Sequence, residues 1–191
     1  MRTKYDEYYL TQNYFGEPYP ELIEFYSKIQ TKGKLLDLGC GQGRDAIALA
    51  KLGYEVTGID HSEVGIQQLN KIAQEENLPV KGIVGDIYEF SDFVEFEFIL
   101  LDSMFHFGKS DKDKESKLLQ RIIEFSKDNA LITICIQDSG KKTDVLNSII
   151  SKYRNLEEVS TVKFDYIFEN KDSDHCSKSR YEMISIRKLK T

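Results

Sequence analysis

Cysteine and histidine are scarce, with three of each in 191 residues. Cys40, Cys135 and Cys176 lie far apart, so none has the spacing of a zinc site, and an odd number suggests reduced thiols. Cys135 sits inside an apolar run and reads as a small buried hydrophobe. His61, His106 and His175 are equally scattered, so no metal site is expected. No apolar run approaches the roughly 18 residues of a membrane span. The opening "MRTKYDEYYLTQ" has no apolar signal-peptide core. The expected location is therefore the cytoplasm, with no membrane partner. An excess of positive charge is missing too. The formal net charge of −6 argues against nucleic acid as partner, because phosphate binding needs a basic face. Only the tail from Lys171 is locally basic, a pattern that suits a solvated edge strand. No internal repeat, low-complexity tract or linker interrupts the chain.

What is present reads as a globular protein, 40% hydrophobic and 30% charged. The length suits one domain over residues 1–191, with an aromatic-rich helix or lid segment at 1–30 and a core at 31–191. Short apolar runs alternate with helical patterns. "LLDLG", "YEVTGID", "VKGIVGD", "FEFILLD" and "ALITICIQ" have strand character. Between them, Ala46, Leu49 and Ala50 recur at helical spacing, and so do Val64, Ile66, Leu69, Ile72 and Ala73 behind a capping Ser62. Leu118, Leu119, Ile122, Ile123 and Phe125 mark a third helix, and residues 143–153 a fourth. This alternation implies βαβ units and a parallel sheet. The terminal runs "EVSTVKFDYIFE" and "SRYEMISIRKL" follow each other directly and read as an antiparallel pair at one edge. Near the start, Pro20 opens a helix with Leu22, Ile23 and Tyr26 on one face.

The most informative stretch is "KLLDLGCGQGRDAIALAKLGYEVTGIDHS". Gly39, Gly41 and Gly43 fall between a strand and a helix, at the sheet edge where α/β proteins bind ligands. Glycine lets the backbone turn tightly and approach a ligand, and the helix start offers free N–H groups. Asp60 ends the next strand and can accept hydrogen bonds from vicinal ribose hydroxyls. Together they describe a site for a nucleoside-bearing cofactor. The dinucleotide fingerprint would require a third glycine where Arg44 stands, which counts against a nicotinamide dehydrogenase.

The pattern D-x-G-x-G-x-G from Asp37 instead resembles motif I of the Rossmann-like, class I S-adenosylmethionine-dependent methyltransferases. "GRDAIALAKLGYEVTGID" with the upstream "YFGEP" is most similar to their tellurite-resistance and thiopurine-type small-molecule members. The resemblance implies a three-layer α-β-α sandwich. Its seven-stranded, mostly parallel sheet has the order 3-2-1-4-5-7-6, with strand 7 antiparallel. It also implies S-adenosylmethionine as cofactor, held by the segment Asp37, Leu38, Gly39, Cys40, Gly41, Gln42, Gly43 and Arg44. Asp60 would hold the ribose, Gly85, Asp86 and Ile87 would meet the adenine with His61 merely flanking it, and Asp102 and Ser103 would border the methionine end.

Asp102 could orient an acceptor or cap a turn, and His106 could be a general base or a structural histidine beside Phe105 and Phe107. Both are carried as candidate catalytic residues. Arg44, at a helix start where a cation is disfavoured, either has a carboxylate neighbour such as Asp37, Asp45 or the cofactor's own, or is simply solvated. Tyr14, Phe15, Tyr19, Phe105 and Phe107 wall an acceptor pocket or pack the core. The loop at 169–178 borders the acceptor or is simply solvated. The leading expectation is methyl transfer to a small molecule by a monomer or homodimer. The rivals are methylation of a protein or RNA, and a non-catalytic S-adenosylmethionine-binding module.

Overall fold

The computed structural model describes residues 4–11, 13–169 and 176–190. A short helix α1 (Lys4–Tyr8) and the Pro20-initiated α2 (Pro20–Lys28) precede β1 (Lys34–Leu38). Then follow α3 (Arg44–Lys51), β2 (Glu55–Asp60), α4 (Glu63–Glu75), β3 (Val80–Val84), β4 (Phe98–Asp102), α5 (Lys112–Phe125), β5 (Leu131–Gln137), α6 (Lys141–Ile150), β6 (Leu156–Glu169) and β7 (Cys176–Lys188). The strands form one sheet in the order β3-β2-β1-β4-β5-β7-β6. The first five strands pair in parallel, while β7 runs antiparallel to both β5 and β6. This is the expected fold and strand order.

Burial explains the order. Every residue of β4 is buried, and β5 is buried up to Gln137, as befits strands covered on both faces. On β1, Leu35 faces one layer, and Leu36 and Leu38 face the other. One layer packs Leu22, Tyr26, Leu49 and Leu69 from α2, α3 and α4. The other packs Leu118, Leu119, Ile122, Leu146 and Ile149 from α5 and α6. Each such fully buried side chain contributes about 1.5–3 kcal/mol of hydrophobic stabilisation. β3 is the edge strand, and Ile83 and Val84 are exposed there.

Two expectations shift. The fourth helix lies at Lys141–Ile150, because Gly140 carries a positive φ and starts it early. Phe125 leaves the apolar face: it ends α5 and is exposed. The expected loop at 169–178 falls largely on residues 170–175, outside the described residues.

Candidate functional site

The carboxyl ends of β1, β2 and β4 gather most of the expected site residues. Asp60 is buried, and its Oδ2 accepts from the Gly41 N–H at 3.0 Å, its Oδ1 from the Ser62 N–H at 2.8 Å. A carboxylate has about four lone-pair sites, so ligand hydroxyls can still be accepted. The same residue therefore shapes the glycine loop and remains open to a ligand. Ser62 in turn caps α4, accepting from the Gly65 N–H at 3.1 Å.

The three glycines serve different neighbours. All have φ in the left-handed region, +80°, +54° and +84° for Gly39, Gly41 and Gly43. A Cβ at Gly43 would collide with Leu69, so that glycine lets α4 pack against the loop. A Cβ at Gly39 would meet the Met104 thioether, and one at Gly41 the Tyr9 hydroxyl. These last two come from the segment after β4 and from the N-terminal segment.

Behind the loop lies a buried ionic cluster. Asp37 Oδ2 is buried without a hydrogen-bond partner among the described residues. Burial pushes the Asp37 carboxyl well above the usual range, and the neighbouring Asp45 charge adds to this, while Arg44 opposes it. Arg44 grips Asp45 in a fork, Nε to Oδ1 at 3.0 Å and Nη2 to Oδ2 at 2.9 Å. Its Nη2 also donates to Asp102 Oδ2. Burial disfavours the guanidinium charge, yet Asp45 more than offsets this and keeps Arg44 protonated. The partner expected for Arg44 is thus Asp45, joined by Asp102. The guanidinium also lies 4.7 Å from the ring centre of Tyr19.

Asp102 Oδ1 accepts from Ser103 Oγ at 2.9 Å, and Ser103 Oγ pairs with the Tyr19 hydroxyl at 3.0 Å. Burial raises the Tyr19 phenol and holds it neutral. Ser103 has φ +58°, rare for a residue with a side chain, at the point where β4 hands over to the site loop. Tyr19 packs on Phe164, Tyr166 and Tyr181 of the terminal hairpin, forming an aromatic wall.

The remaining expected residues are placed as follows. His106 is exposed at the loop surface, and its backbone N–H, with that of Phe107, donates to the buried Glu115 carboxylate. Phe105 is buried and stacks on Phe107 at 5.2 Å. Tyr14 is half-buried, and Phe15 lies exposed on the N-terminal segment. Asp86 is exposed, with Oδ1 accepting from the Tyr88 N–H at 2.8 Å, while Ile87 is buried and Gly85 donates its N–H to Asp60 O at 2.9 Å. His61 is exposed beside Asp60. Leu38 points into the core, and burial keeps the Cys40 thiol protonated. Gln42 binds the N-terminal segment: its Nε2 donates to Thr11 O at 2.9 Å, and its Oε1 accepts from the Tyr14 N–H at 3.1 Å.

Sequence reading missed Glu115, Tyr9, Gln68 and Arg121. Arg121 donates to Tyr88 O and Phe90 O at 2.5 Å each and so clamps the loop after β3. Glu115 was detectable, because it falls on the same helix face as Leu118, Leu119 and Ile122, and a carboxylate on an apolar stripe asks for a partner. Among the described residues, no group of three His, Cys, Asp or Glu is placed to hold a metal ion. No helix among them is long and apolar enough to cross a membrane.

The site's chemistry fits one class of ligand. Among the described residues, Arg44 pairs with Asp45 and Asp102, the charges of Asp45 and Asp60 also act on Asp37, and Asp37 has an oxygen to spare. A ligand with positive charge and free hydroxyls is matched by this set. An anionic pyrophosphate would meet a surplus of carboxylates. S-adenosylmethionine, with its sulfonium, ammonium and ribose hydroxyls, fits the donor set and the glycine cradle.

Comparison with known proteins agrees. The family model for the tellurite resistance protein TehB matches residues 1–182. The chain is similar to the "Probable S-adenosyl-L-methionine-dependent methyltransferase TehB" of Haemophilus influenzae (strain 10810), 41% identical over 81 residues. That match covers 42% of this chain and 28% of the relative, so the chain aligns with only about a quarter of that protein. It is also similar to the 2-heptyl-1-hydroxyquinolin-4(1H)-one methyltransferase of Mycobacteroides abscessus, 30% identical over 95 residues, covering 48% of this chain and 41% of that one. Among solved structures, TehB from Haemophilus influenzae superposes with a TM-score of 0.71 at 21% identity, covering 96% of this chain and 67% of that chain, which shows the shared fold.

Proposed function

The chain belongs to the TehB tellurite-resistance family, and on that premise we propose that it transfers a methyl group from S-adenosylmethionine to a small-molecule acceptor. The observation that carries this reading is the acidic cradle: Asp60 bonded to the Gly41 N–H, with the unpartnered Asp37 oxygen behind it. When bound, S-adenosylmethionine supplies a methyl group on a sulfonium, an activated leaving group. Alignment and exclusion of water then matter more than a strong base.

In this reading Asp60 accepts the ribose hydroxyls, Asp86 and the Ile87 N–H meet the adenine, and Asp37, Asp102 and Ser103 border the methionine end. Asp102 is held on both oxygens, by Arg44 and by Ser103, so it orients rather than abstracts a proton. His106 sits exposed at the rim, available to an acceptor O–H or N–H as it enters. The half-buried Tyr166 and Phe107, backed by the buried Tyr19 and Phe105, supply apolar and π surface for the acceptor and the sulfonium. A small acceptor is supported by the quinolone-directed relative and by the acidic net charge, which disfavours RNA.

The test is release of S-adenosylhomocysteine across a panel holding tellurite, selenite, an aryl thiol, a hydroxyquinolone and a primary amine. Turnover above the no-acceptor background with any member supports the proposal. Tight cofactor binding with no turnover on the panel, but methylation of cell-derived RNA or protein, would replace it.

A further inference from the structure

Gln42 sits between two glycines of the loop, yet its side chain is turned to the chain's own N-terminus. Its Nε2 donates to Thr11 O at 2.9 Å, to Tyr9 O at 3.4 Å and to Gln68 Oε1 at 2.6 Å. Its Oε1 accepts from the Tyr14 N–H at 3.1 Å. Gln68 of α4 donates to the same Tyr9 carbonyl at 2.7 Å. Asp6 Oδ1 accepts from Ser62 Oγ, the α4 cap, at 2.5 Å. Each anchor belongs to the framework of the proposed cofactor site: the glycine loop, the helix it packs on, and the residue two beyond Asp60.

The segment so tied lies across that site. Tyr9 is 5% exposed, with its hydroxyl over the Gly41 Cα, where a Cβ would collide with it. Apolar burial is uneven along the rest of the segment: Tyr8 and Tyr14 are half-buried and stack on each other with ring centres 5.0 Å apart. Leu10 is 70% exposed, and Thr11, Asn13 and Phe15 are exposed as well. Polar bonds to the loop therefore carry much of the attachment, and segments held this way open at low cost.

We propose that Gln42 is a positioning residue that latches the N-terminal segment over the cofactor loop, through Tyr9, Thr11 and Tyr14, and so sets the rate of cofactor exchange. This rests on the S-adenosylmethionine reading above. Tyr9 covers the Gly41 backbone, so the segment must lift to let a ligand pass beneath it on entry and on exit, and it closes again in either state. A latch that acts on the closed state with and without ligand slows both steps and leaves the equilibrium nearly unmoved, because only differential affinity shifts an equilibrium. A residue that touches the cofactor behaves otherwise: its loss speeds release alone and weakens binding in proportion.

The protein contains no tryptophan, so Leu10→Trp gives a single reporter on the exposed face of the segment. In that background, S-adenosylhomocysteine association and dissociation are followed by stopped-flow fluorescence with Gln42 and with Gln42→Ala. Losing hydrogen bonds worth about 1 kcal/mol apiece predicts both rates rising by roughly 5- to 30-fold, with the dissociation constant changing by less than about threefold. Gln42→Glu, which keeps the acceptor but loses the donors, is expected to do the same. Faster release with a matching loss of affinity would overturn the latch and make Gln42 a cofactor contact. Unchanged rates in a folded variant would also overturn it. If S-adenosylhomocysteine does not bind at all, the functional reading fails, and hydrogen–deuterium exchange of the backbone amides of residues 8–11 still decides the latch. Exchange must speed up on Gln42→Ala, and equal exchange sinks the proposal.

Discussion

The glycine loop takes its hydrogen bonds to Asp60 and the N-terminal segment over moderate chain distances, from 19 residues at Asp60 to 33 at Tyr9. Gly41 reaches Asp60, 19 residues on, and Asp60 reaches Ser62 two residues further. The aromatic wall beside it is assembled from afar. Tyr19 meets Ser103 across 84 residues, Arg44 meets Asp102 across 58, and the Tyr166 hydroxyl donates to Phe15 O across 151. A loop built from nearer partners keeps a spacing that any one sequence displays. A wall built from distant partners can vary its side chains without leaving a motif. The division suits an enzyme whose cofactor is fixed and whose acceptor is a matter of specificity.

The largest expected effect lies at the junction of the two regions. Arg44→Ala leaves Asp45 and Asp102 buried without their cation, and breaking such a buried pair costs about 3–5 kcal/mol. Chemical denaturation should show that loss, together with weakened packing at Tyr19. Next comes the loop itself. Asp60→Ala removes the acceptor of two backbone N–H groups and of the proposed ribose hydroxyls. At about 1.5–3 kcal/mol per charge-assisted bond, cofactor affinity measured by calorimetry should drop tenfold or more.

Asp37→Asn sharpens the comparison in the opposite direction, because it should stabilise the free protein. The Asp37 carboxyl is raised in the fold, chiefly by burial, above its ordinary value of 3.8. Its contribution is therefore fully present below about pH 3.8 and is lost as pH rises through the folded value. The wild type should show this decline in free-state stability on raising pH, and Asp37→Asn should lack it. At neutral pH the variant should be more stable than the wild type, because it removes the buried charge, while binding cofactor more weakly. The smallest effect is expected at His106→Ala. The imidazole is exposed and the loop is held through its backbone, so stability should stay within about 0.5 kcal/mol and cofactor affinity within about twofold. If His106 serves as base, turnover alone falls, by roughly 10²–10⁴-fold.

Much of the fold was legible because βαβ alternation and the terminal hairpin each leave a periodic trace. The strand order followed from the family resemblance, and the sheet agrees with it. Asp60 and the glycines could be named from their places at the strand ends, and Asp37 only through the family resemblance. The separate duties of those glycines could not, since only the folded chain brings Leu69 behind Gly43 and Tyr9 over Gly41. Arg44 signalled a partner by its unfavourable helix position, but Asp102 lies on another strand and Tyr19 on the segment before the sheet. The hairpin tyrosines left no signal, because an aromatic residue in a strand reads as core in any sequence.

The central claim is that the acidic loop holds a cationic, hydroxyl-bearing cofactor. Calorimetric titration of S-adenosylmethionine and of NAD into the wild type and into folded Asp60→Ala tests it most directly. The account predicts saturable binding of S-adenosylmethionine that weakens tenfold or more in the variant, and no heat from NAD. Binding of NAD with no response to S-adenosylmethionine, or equal S-adenosylmethionine affinity in both proteins, would contradict it.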